Sequence, residues 1–467
     1  MAVRSADPWA PRRIDVFGAI LLGVFVFHLG IGNLSRLAPV PWTGNDLPVG
    51  ELVLYGTAAA YLAAHRRAWR SLGLIAPVLL VFVLSYAFGL VAHGFALRPL
   101  LYLVRMVALL ITVGAVGWVL AEAIPGLTAR HRWRLLAPYL IAVPLGFAIR
   151  LAFPNSIDLW RDLGTIDVSF AGDPHVDRFV SAYLDPNFYA TIAVIPLGLA
   201  VWLWWRSRRL GYAVFATVVL ASIFGSGSRS GLFTLGATVA LVVVLEVRHQ
   251  SRGGRRLVLP DARTVVACVA TALILSPFWM GALATTVVRV AGVATIGATA
   301  APVTGGATAA PVAGVVVDPS ALARVETASY GLEILAAHPI TGLGYDYLTE
   351  RTRRDLGIPS LDSSVLGTLC NLGIPLTVIL IVLVFRSARS IRQRLAGTGD
   401  ASRAFDWLLV YVGVVVVAAS LVNNVLYYQY WLLPAAVMWL AADVMSRSGA
   451  GKREKAQGEG ASGRAAA

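Results

Sequence analysis

Six places in this chain put ionisable or hydrogen-bonding side chains where apolar segments begin, end or turn. Arg98 and Arg105 are seven residues apart with Tyr102 between them, so a helix carries both arginines on one face. Asp185-Pro186-Asn187 opens one apolar run, and the string GSGSRSG at 225–231, holding Arg229, interrupts another. Arg324 and His338 bracket a stretch of helical periodicity, and Asp362 opens the apolar run that follows it. Arginine stays protonated and holds phosphate oxygens through two parallel donors. A carboxylate or imidazole within hydrogen-bond reach of a hydroxyl takes its proton as a new bond forms. Histidines and cysteines never cluster at metal-ligand spacing, and no Gly-rich loop ending in Lys appears in a cytoplasmic segment. No cofactor is expected, and metal-dependent and ATP-driven chemistry lose support.

Each residue also has a plainer role. Arg229 can mark the water boundary of a helical hairpin by snorkelling, although the surrounding glycines and serines let backbone approach a ligand. For Arg324 the alternative is a solvated or lipid-headgroup contact, for Asp362 the N-cap of the next span, and for His338 a helix C-terminus stabilised by the dipole. Arg105 lies more than a turn inside a predicted span, where an ionisable residue is costly and faces the bundle interior. A phosphate contact by Arg98 and Arg105 competes with snorkelling. Asp185 and Asn187 suit helix capping as well as a substrate contact. The cluster Tyr427, Tyr428, Tyr430 and Trp431 reads as an interfacial aromatic belt rather than a sugar platform.

The elements that must position these groups follow from composition. Of 467 residues 57% are hydrophobic and 14% charged, against roughly 25% charged in an average soluble domain. Apolar runs recur from about residue 14 to 446, each about long enough to cross a ~30 Å hydrocarbon core. A secreted enzyme, a nucleic-acid binder and a cytosolic α/β enzyme are excluded. Twelve spans are predicted: 14–32, 48–64, 72–93, 99–121, 135–153, 186–205, 210–225, 230–247, 263–281, 362–385, 406–422 and 430–446. The stretch 210–247 is too long for one crossing, and its Gly/Ser-rich centre folds it into two helices with Arg229 at the tip.

The net charge of +14 reports orientation. With the N-terminus inside, 27 of the 39 basic residues fall in the cytoplasmic segments and every second loop is basic. That alternation predicts a plasma-membrane protein with both termini cytoplasmic. Arg12 and Arg13 precede a segment long enough to span, with no small-residue cleavage site after it, so no cleavable signal is expected. Cys268 and Cys370 fall in or beside predicted spans, and no structural disulfide is expected. The expected fold is an all-α membrane protein. It comprises a single bundle of about twelve helices over 1–446, outer loops 154–185 and 282–361, and a disordered cytoplasmic tail at 447–467.

The outer loops differ in character. Residues 154–185 are acidic, with six aspartates against Arg161 and Arg178. In 282–361 the repeat GATAAPVT (297–304) and GATAAPVA (306–313) reads as a flexible linker. After it Asp318 can cap a helix that Pro319 opens, with Leu322, Val325, Leu332 and Leu335 on one face. An amphipathic helix lying on the outer ends of the bundle is predicted.

The string from Arg324 through Glu333 to HPITGLGYDYL at 338–348, then a helix with Gly373 and Pro375, resembles the signature of the O-antigen ligase and polymerase family. GSGSRSG at 225–231 and Asp185-Pro186-Asn187 fit the same pattern, so the resemblance covers roughly 185–385. It implies glycosyl transfer at the outer face of the membrane, from a polyprenyl diphosphate to an acceptor hydroxyl, without metal or nucleotide sugar. The family's two arginines fall on Arg229 and Arg324. Its ligases carry a His-Asn pair eleven residues ahead of a Gly, where Gly373 puts Asp362 and Ser363. That departure points away from a ligase of the lipopolysaccharide type, towards a polymerase or a ligase with another acceptor. A diphosphate leaving group gains negative charge as the anomeric bond breaks, which fixed arginines in a partly dehydrated site stabilise. Asp362 and His338 are the candidate proton acceptors. The implied partners are the lipid-linked glycan, the acceptor and the bilayer, with no nucleic acid.

A secondary transporter or flippase of a lipid-linked glycan is the alternative. Transporters concentrate polar groups near the midplane within broken helices, whereas this sequence concentrates them at the outer ends and shows no matching pair of interrupted spans.

Overall fold

The computed structural model describes residues 14–37, 48–124, 132–153, 178–183, 185–251, 261–283, 286, 319–356, 361, 363–395, 400–424, 426, 428, 430 and 432–447. Every regular element among them is helical. In chain order these are α1 (Val16–Ile31), α2 (Val49–Ala64), α3 (Leu72–His93), α4 (Leu97–Ala123), α5 (Ala137–Ala152), α6 (Pro186–Ser207), α7 (Leu210–Gly225) and α8 (Arg229–Ser251). There follow α9 (Ala262–Ile274), α10 (Ser276–Leu283), α11 (Pro319–Ala337), α12 (Tyr347–Leu356), α13 (Ser364–Leu395), α14 (Asp400–Val422) and α15 (432–447).

Every predicted span therefore coincides with a helix, or with the bent pair α9–α10. Local sequence explains the ends: Asp15 accepts from Gly18 N at 2.7 Å to open α1, and Asp261 accepts from Thr264 N at 3.0 Å to open α9. Crossing is a separate matter. Among the described residues six helices are long and apolar enough to cross a membrane singly, or seven if α9 and α10, bent by 73°, form one span. The shorter α2, α7 and the 409–422 part of α14 are apolar but fall below that length. The chain is a multi-pass membrane protein, and a count of twelve crossings goes beyond what these helices establish.

The core centres on α6, whose Ile192, Val194, Ile195, Leu199 and Leu203 are buried. Tyr411 of α14 lies across Gly198 so closely that a Cβ there would sit 2.0 Å from the ring, and its hydroxyl donates to Val194 O at 2.6 Å. Outward, Val91, Val266, Ile274 and Phe385 are exposed, an arrangement suited to lipid and costly in water. α3 runs from the basic turn Arg66–Ser71 to His93, whose ring lies 5.5 Å from that of Tyr347. Its 22 residues separate these two ends of the bundle by ~33 Å.

Two of the spans are interrupted, at the α9–α10 bend and inside α13, where Gly373 has φ 71°. At that break the segment after α11 docks by backbone pairing: Leu343 N donates to Cys370 O (2.7 Å), Gly344 N to Asn371 O (3.1 Å) and Ile374 N to Pro339 O (2.8 Å). Gly344, at φ 95°, simultaneously lies against Gly89 of α3, so a side chain on either glycine would collide.

The amphipathic helix forms as α11, but with a different face inward. Val325 and Leu332 are 64% and 58% exposed, while Thr327, Gly331 and Ile334 are buried. Close approach at Gly331, where a Cβ would meet Leu366 and Leu361 within 2.8 Å, turns the helix so that a small residue rather than a large one contacts α13. Half-buried Arg324 and His338 lie on this inward stripe, at spacings of three and four residues from its members. A further helix, α12, was not foreseen. Arg447 belongs to α15 rather than to the tail, and 448–467, the repeat at 297–313, the cap at Asp318 and most of the acidic segment (154–177) lie outside the described residues.

Candidate functional site

The hairpin between α7 and α8 turns through Ser226, Gly227 and Ser228. Its first carbonyls are closed by Ser226 N to Ser222 O (3.0 Å) and Gly227 N to Phe224 O (3.0 Å), with Gly227 at φ 57°. Ser228 Oγ accepts from Gly231 N at 3.0 Å and so caps α8. Arg229 is thus the first residue of a helix whose N-terminus is already electropositive, where a guanidinium raises the potential instead of being offset by it. Such an end attracts anions.

Two further segments meet this turn. Asp185 caps α6 by accepting from Asn187 N (2.5 Å) and Phe188 N (3.2 Å), with Pro186 as the first helical residue. Capping is therefore its structural role. Asn187 turns its side-chain carbonyl to the hairpin and accepts from Ser228 Oγ at 2.8 Å. Arg178, which the sequence offered only as a counter-charge to the acidic segment, reaches over both. Its Nε donates to Ser226 O (2.6 Å) and its terminal nitrogen to Gly227 O (3.2 Å) and Asn187 Oδ1 (3.4 Å). Arg324 enters from α11: burial pushes the Asp185 carboxyl up, and the backbone N–H groups, Arg178 and Arg324 oppose that rise. Arg178, Asp185, Asn187, Ser228 and Arg324 converge from three chain regions at the end of the hairpin that carries Arg229.

Because Arg178 fastens the turn through backbone carbonyls, Arg178→Ala is expected to slow the chain's reaction by about tenfold or more. Arg178→Lys, lacking the fork, should recover only part of that loss. Parallel rate measurements on detergent-purified variants of matched folding check it, and an Arg178→Ala rate equal to the parent's removes the positioning role.

The remaining predicted residues go elsewhere. Arg105 is bound in a buried ion pair, with Nε donating to Glu51 Oε2 at 2.8 Å and its terminal nitrogen to Oε1 at 2.5 Å. Glu51 is fully buried in the first turn of α2, so this arginine's fork is filled by the protein rather than presented to a phosphate. Tyr102 lies between Arg105 and Arg98, their guanidinium carbons 5.8 and 5.4 Å from its ring centre. The charge of Arg98 acts on Asp346. His338 follows the last residue of α11, fourteen residues beyond Arg324 and ~21 Å along the helix axis, too far for the two to act on one atom. It neighbours His93, with ring centres 6.3 Å apart. Asp362 lies outside the described residues. Beside it, Ser363 Oγ accepts from Leu366 N at 3.4 Å and the Ser363 carbonyl accepts from Gly367 N at 2.9 Å.

Tyr428 and Tyr430 also differ from expectation. Tyr430 is buried and stacks on His28 at 5.0 Å, and Tyr428 stacks on Phe188 at 4.4 Å, next to Asn187. They face the bundle interior instead of forming a belt. Their hydroxyls explain this: Tyr430 pairs with Ser35 Oγ at 2.8 Å and Tyr428 donates to Tyr183 O at 3.0 Å.

Asp346 carried no warning in the sequence. It occupies a left-handed conformation at φ 63° and is buried, with Oδ1 accepting from Thr349 Oγ1 at 2.7 Å. No donor among the described residues reaches its Oδ2. Burial raises its carboxyl to about 7, against the Thr349 hydrogen bond and the charges of Arg98 and Arg353. Between the ordinary carboxylate value and about 7, the folded chain keeps a proton that the unfolded chain releases. Stability should therefore fall as pH rises through this window, by roughly 4 kcal/mol at most. Asparagine tolerates the same backbone conformation. Asp346→Asn is expected to flatten the fall in unfolding midpoint from about pH 5 to about pH 8; an unchanged fall places the titration elsewhere.

Compared with known proteins, residues 215–381 match the family model described as O-antigen ligase. The matched segment spans the hairpin with Arg229, α11 with Arg324, and α13 through its break at Gly373. The family resemblance read from the sequence is thereby supported, and with it a glycosyltransferase-like role in polysaccharide assembly. No curated protein matches the chain.

Proposed function

We propose that this protein transfers a glycan from a polyprenyl diphosphate to an acceptor hydroxyl at the outer face of the plasma membrane, as a polysaccharide polymerase or a ligase. The observation that carries this reading is the convergence of Arg324 and the Arg178-fastened hairpin bearing Arg229 on Asp185 and Asn187. In the reaction the anomeric carbon–oxygen bond to the diphosphate breaks, and the leaving group takes the electron pair. Arg229 and Arg324 receive that negative charge in a partly dehydrated site, where it is worth most. The acceptor oxygen bonds to the anomeric carbon and gives its proton to Asp362. Neither a metal ion nor a nucleotide sugar enters. Arg105 and Arg98 are left out of the site, and Asp185 and Asn187 shape it.

A transporter is the second reading, favoured by the interrupted α13 and the α9–α10 bend; the break in α13 is the one whose partners are seen. Its exposed backbone groups pair with the segment 339–344, which supports a packed joint rather than an open ion site.

The reading is tested in sealed proteoliposomes of defined orientation, with reporters at residues 310 and 455 marking the two sides. Transfer is expected when donor and acceptor are supplied only on the side of residue 310. Transfer requiring donor on the side of 455, or both reporters on one side, contradicts it.

A further inference from the structure

At the end of the bundle opposite the arginine cluster, a half-open cavity of about 290 Å³ is lined by three chain regions that meet only in the fold. Arg70 and Ser71 come from the turn before α3, with Leu74 one turn into that helix; Trp118 comes from α4, and Val444 and Arg447 from α15. Its size is at the lower end of ordinary small-ligand pockets.

The lining has two characters. Leu74, Trp118 and Val444 make an apolar wall, while Arg70 and Arg447 supply guanidinium groups from positions 377 residues apart. Asp443 pairs with Arg447 Nε at 2.9 Å but also with Arg394 at 3.1 Å, so two cations share one carboxylate. Arg70 is exposed, and no hydrogen bond or ion pair joins it to another described residue. The cavity therefore carries a surplus of positive charge beside an apolar wall, at a level ~33 Å along α3 from the outer loops, which is about one bilayer core away.

We propose that this cavity binds the headgroup of an anionic phospholipid in the leaflet opposite the arginine cluster. The phosphodiester sits between the Arg70 and Arg447 forks, and the glycerol and first acyl carbons lie along Leu74, Trp118 and Val444. Arginine is suited to hold a phosphodiester through two oxygens, and basic recesses between helices at this membrane level are where anionic headgroups lodge. A zwitterionic headgroup brings its own cation into the same recess and is disfavoured by the surplus charge. Trp118, with an amphipathic ring at the headgroup level, fits the same assignment. The inference is independent of the glycan-transfer reading, since none of its residues belongs to that site.

The test is native mass spectrometry of the full-length purified protein, titrated with phosphatidylglycerol or phosphatidylcholine. The parent is expected to retain phosphatidylglycerol about tenfold better than phosphatidylcholine, and Arg70→Gln with Arg447→Gln to lose that preference. Arg70→Gln alone removes no partner within the fold and should cut retention by several-fold at an unchanged unfolding midpoint, which keeps the test valid if the double variant folds poorly. Equal retention of both lipids by the parent, or undiminished phosphatidylglycerol in Arg70→Gln, overturns the proposal. Displacement of the lipid by millimolar inorganic phosphate overturns the lipid assignment and leaves a simple anion site.

Discussion

Arg324→Ala is expected to lower glycan transfer by about a hundredfold to a thousandfold, the usual cost of removing one preorganised donor from developing negative charge. Arg324 sits on the buried stripe of α11 with Thr327, Gly331 and Ile334, and its charge reaches Asp185. Alanine leaves the Gly331 contact with α13 untouched, so the helix should keep its place. Arg229→Lys is the informative companion. Lysine preserves the charge at the N-terminus of α8 but not the planar fork, and a loss of about tenfold to a hundredfold is expected. The double alanine variant should fall less than the product of the two singles, because both act on one leaving group. Protein yield and membrane insertion should match the parent, since neither side chain lies within an apolar span. Full transfer by the double variant would leave both arginines as headgroup anchors.

The second large effect is expected at Asp362. Ser363 Oγ accepts from Leu366 N at the start of α13, and asparagine at 362 can serve as a cap as well as aspartate, so the Asn variant separates the two roles. Asp362→Asn removes the ionisable group while keeping its size, and transfer is expected to slow by about a hundredfold with donor binding retained. His338→Gln serves as the contrast. Its position ~21 Å from Arg324 along the axis of α11 predicts activity within about twofold of the parent. If His338→Gln is the inactive variant and Asp362→Asn the active one, the proton acceptor has been misassigned and the reacting centre lies towards His93. Should both variants stay active, leaving-group stabilisation alone carries the rate.

The helices were legible because an apolar run of spanning length has few alternatives to a helix in lipid. So was the hairpin, since Gly225, Gly227 and the intervening serines cannot continue a helix well and the segment was too long for one crossing. Where α11 lies was readable from Pro319 and the helical period, but not which face turns inward. That was decided by a contact between Gly331 and Leu366, which hydrophobic size does not signal. The Arg105–Glu51 pair joins residues 54 apart in the chain, and nothing local marks Glu51 as its partner. Arg178 read as an ordinary counter-charge because its acceptors are mostly backbone carbonyls of a distant turn. Asp346 owes its raised carboxyl to burial against other elements, a property of the fold rather than of the string GLGYDYL.

The central claim is that a bond is broken, not merely that a glycan is moved. The most direct measurement follows a doubly labelled donor, with one label on the glycan and one on the polyprenyl diphosphate, in proteoliposomes supplied with acceptor, a metal chelator and no nucleotide. The account predicts one polyprenyl diphosphate released for each glycan that appears on an acceptor, and loss of both signals together in Arg324→Ala. Glycan crossing the bilayer with both labels still joined, at a rate unaffected by Arg324→Ala, would contradict it and identify a transporter.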